Sequence, residues 1–477
     1  MRIIRGERWR LLPGLLLIAT CSNIHDSVRE DAGAVGAEVQ RRTGVEASSP
    51  PELVEDGDVL RDIHPLVQGE LTEENAVKVS LLNNRAVRAS YESLGIARAD
   101  LLQAGLLSNP VFSANAKFFG SGTEVELGLA QSFLDLFRIP LRRGVAEARL
   151  REATATVTRD LIHLTFEVRR TFLQVRAANQ MVEMRRHVFE TTKASFDLMR
   201  HLHEAGNVTD QQLTTEEGAL TRAQIELAAS ESFATESREP LNVLLGLWGA
   251  SSAGWIITGR LPEALGSDLP LDHLEARAIA SSLDLATSRF HAESLAQVAG
   301  LDTWEQVFAS DSVGAVAKRE SADGSWGVGP SFSLSLPLFD HGQAARAAGS
   351  FALAQALDVY AHTAVQIRAS ARSLRERFIS LTERVRFIRD VHLPLRARLV
   401  RETLQNYNAM QIGAFDVLVA RQQEIEAGRE YIETLRDAWL TRLDVEELLA
   451  GSFNAERAMA PPGMAAKSST APMKKGH

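Results

Sequence analysis

Residues Trp326 to Gly342 read WGVGPSFSLSLPLFDHG. Trp326, Val328, Phe332, Leu334, Leu336 and Leu338 fall on one side of a period-two pattern, and Gly327, Gly329, Ser331, Ser333 and Ser335 fall on the other. The stretch therefore predicts a β-strand with one apolar face and one small polar face. It is also long enough to cross a bilayer, since a tilted membrane strand needs about 9–11 residues and lipid outside with a polar lumen inside imposes this alternation. A half-buried strand of an ordinary sheet would show the same alternation, so the rest of the chain must decide between them.

The design recurs earlier, at Val125 to Phe137, VELGLAQSFLDLF, where Val125, Leu127, Leu129 and Phe133 alternate with Glu126, Gly128, Ala130 and Ser132. Asp135 follows this strand as Asp340 follows the later one, an offset of 205 residues (340 − 135). Gly246 and Gly451 share that offset, and at the same step Leu213, Leu220 and Leu227 map onto Leu418, Ile425 and Ile432. A period so much longer than that of a solenoid predicts two tandem copies of a large strand-plus-helix module.

Long helices fill the remainder. Leu161, Val168, Val175, Val182, Phe189 and Phe196 recur every seven residues, as in a left-handed coiled coil. Gly206-Asn207 is the one strong breaker before Leu213, Leu220 and Leu227 resume the spacing, which predicts a helical hairpin turning between Glu204 and Asp210. Some 60 helical residues extend about 90 Å, so such a hairpin must project beyond any bilayer. The second half carries a heptad through Leu353, Tyr360, Ile367, Leu374, Leu381, Ile388 and Leu395, with Pro394 inside it predicting a kink. Weaker strands are predicted over Asn109–Phe119 and Val313–Glu320, each turning through a glycine-containing loop into a stronger one. Thr72 is a candidate N-cap and Gly105 a stop for the helix that begins the first module.

The N-terminus reads as an export signal over residues 1–20, with Arg2, Arg5, Arg8 and Arg10 preceding the apolar Leu11–Ala19. Cys21 is the only cysteine. It cannot form an internal disulfide, and its position resembles the bacterial lipoprotein box, where the thiol is lipidated after cleavage; ordinary cleavage or a retained signal are the other outcomes. Ser22, in place of aspartate, implies outer-membrane sorting by that resemblance. Residues 21–70, rich in Ala, Gly, Asp and Glu, are predicted to form an extended linker, 251–270 a linker between the modules at 71–250 and 271–453, and 454–477 a disordered tail.

No run of 18 or more apolar residues offers a membrane helix. With 52 Lys and Arg against 61 Asp and Glu, the net charge of −9 argues against a nucleic-acid partner. There is no nucleophile elbow, phosphate-binding loop, paired CxxC or HExxH, so no enzyme, cofactor or metal is expected. His201 and His203 stand two apart on a helix and so cannot converge on a metal.

In order and twice over, these pieces resemble the TolC-like outer-membrane efflux proteins across Leu71 to Gly451. The matching segments are AVKVSLLNNRAVRAS and ARADLLQAGLLSNP, SFLDLF and SLPLFDHG, HEAGNVTDQQL and NYNAMQIGAFDVL, and LLGL. The resemblance implies a mainly α fold with a membrane β-barrel, in which coiled-coil hairpins and β-hairpins form two tandem repeats. It further implies a homotrimer in the lipid of the bacterial outer membrane, with a shared barrel and an α-helical periplasmic tunnel serving a periplasmic adaptor and an inner-membrane pump. Carried onto this chain, the lipid face comprises Val125, Leu127, Leu129, Phe332, Leu334 and Leu336. The adaptor-docking tips are Ala205, Gly206, Val208 and Thr209, and Gln411 with Gly413, where Gln411 stands at the 205-residue step from Gly206. Glu204, Asp210 and Asp416 either line the tunnel aperture or lie on a solvated outer face. A coiled-coil lipoprotein scaffold without a pore would explain the heptads but not the strands.

Overall fold

The structure is a computed structural model that describes residues 12–46, 56–119, 122–266, 269–307, 311–319, 325–334 and 338–459. In chain order the elements are α1 (Leu12–Thr43), α2 (Asp56–Val67), β1 (Gly69–Glu70), α3 (Glu73–Asn83), α4 (Arg85–Ala104), β2 (Val111–Phe119), β3 (Gly122–Gln131) and α5 (Asp135–Glu204). Then follow α6 (Asp210–Glu236), α7 (Arg238–Leu245), β4 (Trp255–Ile256), α8 (Leu274–Ser281), α9 (Leu283–Val307), β5 (Asp311–Arg319) and β6 (Trp326–Leu334). The last elements are α10 (Gln343–Phe387), α11 (Leu393–Asn408), α12 (Ala414–Ala450) and α13 (Ala455–Met459). The chain divides into two compact units.

The first unit comprises Met1–Val35, Ala89–Thr158 and Leu283–Ala364. Its centrepiece is an antiparallel sheet in the order β2-β3-β5-β6. Both weak strands are therefore present, β2 over 111–119 and β5 over 311–319. The stronger strands are shorter than their alternation suggested. β3 stops at Gln131, and the residues up to Phe137 turn into α5, whose first residue is Asp135.

The second unit comprises Gly36–Arg88, Arg159–Ser282 and Val365–His477. Here Leu161, Val168 and Val175 are fully buried, and Ile367, Leu374, Leu381 and Ile388 are buried. Arg170 is buried and donates to Asp444 Oδ1 at 2.6 Å and Glu447 Oε2 at 2.8 Å, tying α5 to α12 by charge-assisted bonds that satisfy an otherwise costly buried cation. Thr72 caps α3 as predicted, its hydroxyl accepting from the Asn75 N–H. The LLNN segment caps another helix: Asn83 Nδ2 donates to the carbonyls of Leu245 and Gly246, and Ser80 Oγ and Asn84 Nδ2 to that of Leu244, satisfying the last carbonyls of α7. The 251–270 segment contains β4, paired in parallel with β1, and the fully buried Trp255.

Expectations for both terminal segments and for the heptad around Pro394 need correction. The 21–70 segment is not an extended linker, because α1 and α2 occupy most of it and Cys21 lies within α1. Ala32, Val35 and Val39 are buried at helical spacing. In the first unit Arg98 Nε donates to Asp31 Oδ2 at 2.6 Å; in the second, Arg42 donates at 2.7 Å to both the Ser281 and Ala450 carbonyls, closing the C-terminal ends of α8 and α12. The tail likewise begins with helix α13, while residues 460–477 lie outside the described residues, as do residues 1–11 of the signal segment.

A further correction concerns Pro394. It sits in the first turn of α11, and a π turn over Ile388–His392 immediately precedes it. The Leu393 N–H reaches back five residues to the Ile388 carbonyl. Widening the helix moves the carbonyls clear of the proline ring, which an α-turn would have forced into collision. The extra residue also shifts the phase of the heptad, and Leu395, predicted inward, is 54% exposed.

Candidate functional site

Register settles which side chains share a face of the sheet. Phe112 opposes Leu129, Ala114 opposes Leu127 and Ala116 opposes Val125; Leu127 then opposes Ala317, which opposes Val328, and Val313 opposes Phe332. One apolar face thus runs across all four strands, and residues offset by one build the other: Ser113, Asn115, Glu124, Glu126, Lys318, Gly329, Ser331 and Ser333. On the second face Lys318 Nζ lies 3.1 Å from Glu124 Oε1. On that face a Cβ at Gly314 would run into the carbonyl of Leu129 and one at Gly128 into Ser113, whereas one at Gly329 would meet nothing within 4 Å. On the apolar face Leu129, Val328 and Phe332 are 53%, 74% and 67% exposed. Val125, Leu127, Leu129, Phe332 and Leu334 all lie on this face, whereas Leu336 is outside the described residues.

The sheet's outer strands are β2 and β6, each with one unpaired edge in the four-stranded sheet. At the helix-proximal end a buried carboxylate that no local pattern singles out organises the junction. Asp311 Oδ2 accepts from Ser132 Oγ at 2.7 Å and from the Leu134 N–H at 2.9 Å, while Oδ1 lies 3.3 Å from Arg138. Asp135 beside it accepts from the Ser108 N–H at 3.1 Å and pairs with Arg142 at 3.3 Å. Burial alone would raise the Asp135 carboxyl, but the Ser108 hydrogen bonds and the Arg142 and Arg138 charges outweigh it and hold the group below its usual value. Asp340 has an equivalent local task, accepting from the Gly342 N–H at 2.8 Å just before α10.

The second unit holds both helical turns. Gly206 adopts a left-handed φ of 78°, and the Asn207 N–H closes onto the Leu202 carbonyl at 2.9 Å, ending α5 as a Schellman turn. Thr209 opens α6 with a reciprocal capping box, its hydroxyl accepting from the Gln212 N–H and the Gln212 side chain accepting from the Thr209 N–H at 3.0 Å. Ala205 and Thr209 are exposed and Val208 is half-buried. His203, set aside above as a metal ligand, is half-buried and stitches the turn: Nδ1 donates to the Val208 carbonyl at 2.9 Å, and Nε2 lies 3.3 Å from Asp210. His201 is exposed, 3.4 Å from Glu204.

At the second turn the counterpart of Gly206 is Met410, not Gln411. Met410 has φ 57°, and the Gln411 N–H closes onto the Asn406 carbonyl at 2.9 Å in the same pattern. The conserved step between turns is thus 204 residues (410 − 206), one short of the step linking the strands. Sequence reasoning looked for glycine, the residue this conformation favours, and passed over a methionine. Gly413 caps α12, and its N–H donates to Asp416 Oδ2 at 3.2 Å. Of the three acids, Asp416 is engaged in this cap and Glu204 and Asp210 stand beside histidines. Among the described residues no cluster of three or more His, Cys, Asp or Glu could hold a metal, and no helix is long and apolar enough to span a membrane.

No family model matches the chain and no curated protein matches it in sequence. Solved structures do match. The outer-membrane channel OprN superposes with a TM-score of 0.67 at 17% identity, covering 87% of this chain and 95% of its own. VceC from Vibrio cholerae gives 0.64 at 15%, covering 80% and 97%, and the open MtrE channel of Neisseria gonorrhoeae 0.62 at 15%, covering 80% and 90%. The fold is that of the TolC-like outer-membrane channels. Within this fold the Gly206 and Met410 turns reverse the long helices.

Proposed function

We propose that the chain is a passive exit duct of the bacterial outer membrane, assembled as a homotrimer and coupled through a periplasmic adaptor to an inner-membrane pump. The observation that carries this reading is the pair of faces on the four-stranded sheet. An exposed apolar face backed by a small polar face suits lipid on one side and a watery lumen on the other. Open edges are untenable in lipid, where every backbone donor and acceptor must be satisfied, and closing the sheet on copies of itself satisfies them. Three chains would contribute twelve strands (3 × 4), and the helices would continue as the tunnel.

In this reading Ala205, Gly206, Val208 and Thr209, with Met410, Gln411 and Gly413, meet the adaptor. Glu204 and Asp210 remain candidates for the aperture. Gly206→Pro should abolish efflux complementation and adaptor crosslinking while membrane insertion is unchanged, because proline removes the N–H that Gly206 donates to the His203 carbonyl at 2.8 Å and cannot take a positive φ. Normal export and crosslinking by a well-expressed variant would reject this turn as the docking site. Lipidation at Cys21 is a separable part of the proposal. Cys21→Ala should remove an acyl mass from the mature protein, and a wild-type protein without that mass would refute the anchor but leave the duct standing.

A further inference from the structure

The second unit contains a cleft of about 1210 Å³ bounded by α5, α6, α11, α12 and the Arg260–Glu263 segment. Its wall is largely aliphatic and thioether, with Met184, Met199 and Leu202 on α5 facing Leu418 and Ile425 on α12. Charged and polar side chains also line it, among them Glu183, Arg185, Glu226, Arg260, Arg421 and Glu424, and Glu216 and the Tyr431 hydroxyl are the ones withdrawn from solvent. Glu216 on α6 is 5% exposed, and its carboxylate accepts a hydrogen bond from Ser195 Oγ at 3.3 Å. The buried Tyr431 hydroxyl has no hydrogen-bond partner.

The nearby cations are committed elsewhere: Arg185 pairs with Glu226 and Arg260 with Glu183, each at 2.5 Å. Arg222 stands exposed at the rim. It follows Glu216 by six residues, about 240° around the helix, and so cannot fold back onto that carboxylate. A carboxylate sequestered from water with one hydroxyl donor is under-compensated, and an idle phenol beside an apolar wall adds a second unmet demand. Burial accordingly pushes the Glu216 carboxyl up, against the Ser195 hydrogen bond.

We propose that this cleft is a binding site for an amphipathic organic cation, whose apolar body lies between α5 and α12 and whose charge is neutralised by Glu216. Pockets that enclose drug-sized ligands hold roughly 300–1,000 Å³, the scale of this cleft, and combine apolar walls with a few placed polar groups. A partner helix, about 10–12 Å across, is the less suitable occupant because Glu216 is already screened from the surface by its own unit. The test reads binding and not transport, so loss of binding and loss of transport are distinguishable results.

The test is a fluorescence-anisotropy titration of ethidium into the purified full-length protein in detergent. Saturable binding with one site per chain is expected, and Glu216→Gln should weaken it by about tenfold or more. Ala219→Leu, one turn from Glu216 on the same side of α6 and itself lining the cleft, should abolish it. Glu217→Gln, on an exposed neighbour outside the cleft, should bind as wild type. Non-saturable partitioning, wild-type affinity in both Glu216→Gln and Ala219→Leu, or equal loss in Glu217→Gln would overturn the proposal. So would saturable capture of a basic helical peptide with no ethidium binding.

Discussion

Asp135 shows how a single carboxylate sets the transition from strand to helix. As the first residue of α5 it lies where the helix dipole favours a negative charge, and the Ser108 N–H, Arg138 and Arg142 converge on it. Its folded pKa is held below the unfolded value of about 3.9, so its stabilisation is complete above about pH 4 and is lost as the pH falls through the folded value. Asp135→Asn should therefore be less stable than wild type at neutral pH by about 1–3 kcal/mol, with the difference shrinking below about pH 4. Parallel thermal melts of the two proteins across that range check this, and a difference independent of pH would show that the charge contributes nothing. A residue that acts locally in this way was legible from the sequence: Thr72 caps α3 where its type indicated. Asp311 was not, because the groups it gathers, Ser132, Leu134 and Arg138, lie more than 170 positions away in the chain.

Strands and helices were read well where one period dominated. β2 and β6 lie within predicted stretches and β3 and β5 overlap theirs, starting three and two residues earlier, and α5 ends at Glu204 and α6 begins at Asp210, the limits placed on the first turn. The reading failed where composition was allowed to override period. Residues 21–70 are rich in small and acidic types, yet Ala32, Val35 and Val39 form a buried helical stripe, and Arg42 makes contacts to Ser281 and Ala450 that no local pattern announces. It also failed where one residue was inserted, as the π turn before Pro394 put Leu395 out of phase. The sheet offers a sharp test because Glu126 and Leu127 are neighbours on opposite faces. Leu127→Arg should impair membrane assembly, since a cation at mid-depth on the lipid side of a barrel costs about 2–4 kcal/mol. Glu126→Arg should assemble and change conductance instead. Equal behaviour of the two variants in a heat-modifiability assay would argue against a membrane sheet.

The order of elements after β6 repeats the order after β3: a long helix, a left-handed turn and a returning helix. Duplication of one module, which we propose, would account for this order and for the 205-residue step shared by Asp135 with Asp340 and Gly246 with Gly451. The two β-hairpins of the chain leave the β2 and β6 edges unpaired within their own sheet, and the duct we propose exists only if other copies close them. The decisive measurement is the native mass of the Cys21→Ala protein released from membranes, with the acyl anchor thereby removed from consideration. The duct predicts a particle of three chains that detergent alone releases. A single chain recovered in aqueous buffer without detergent would contradict it and would favour a coiled-coil scaffold that never enters the bilayer.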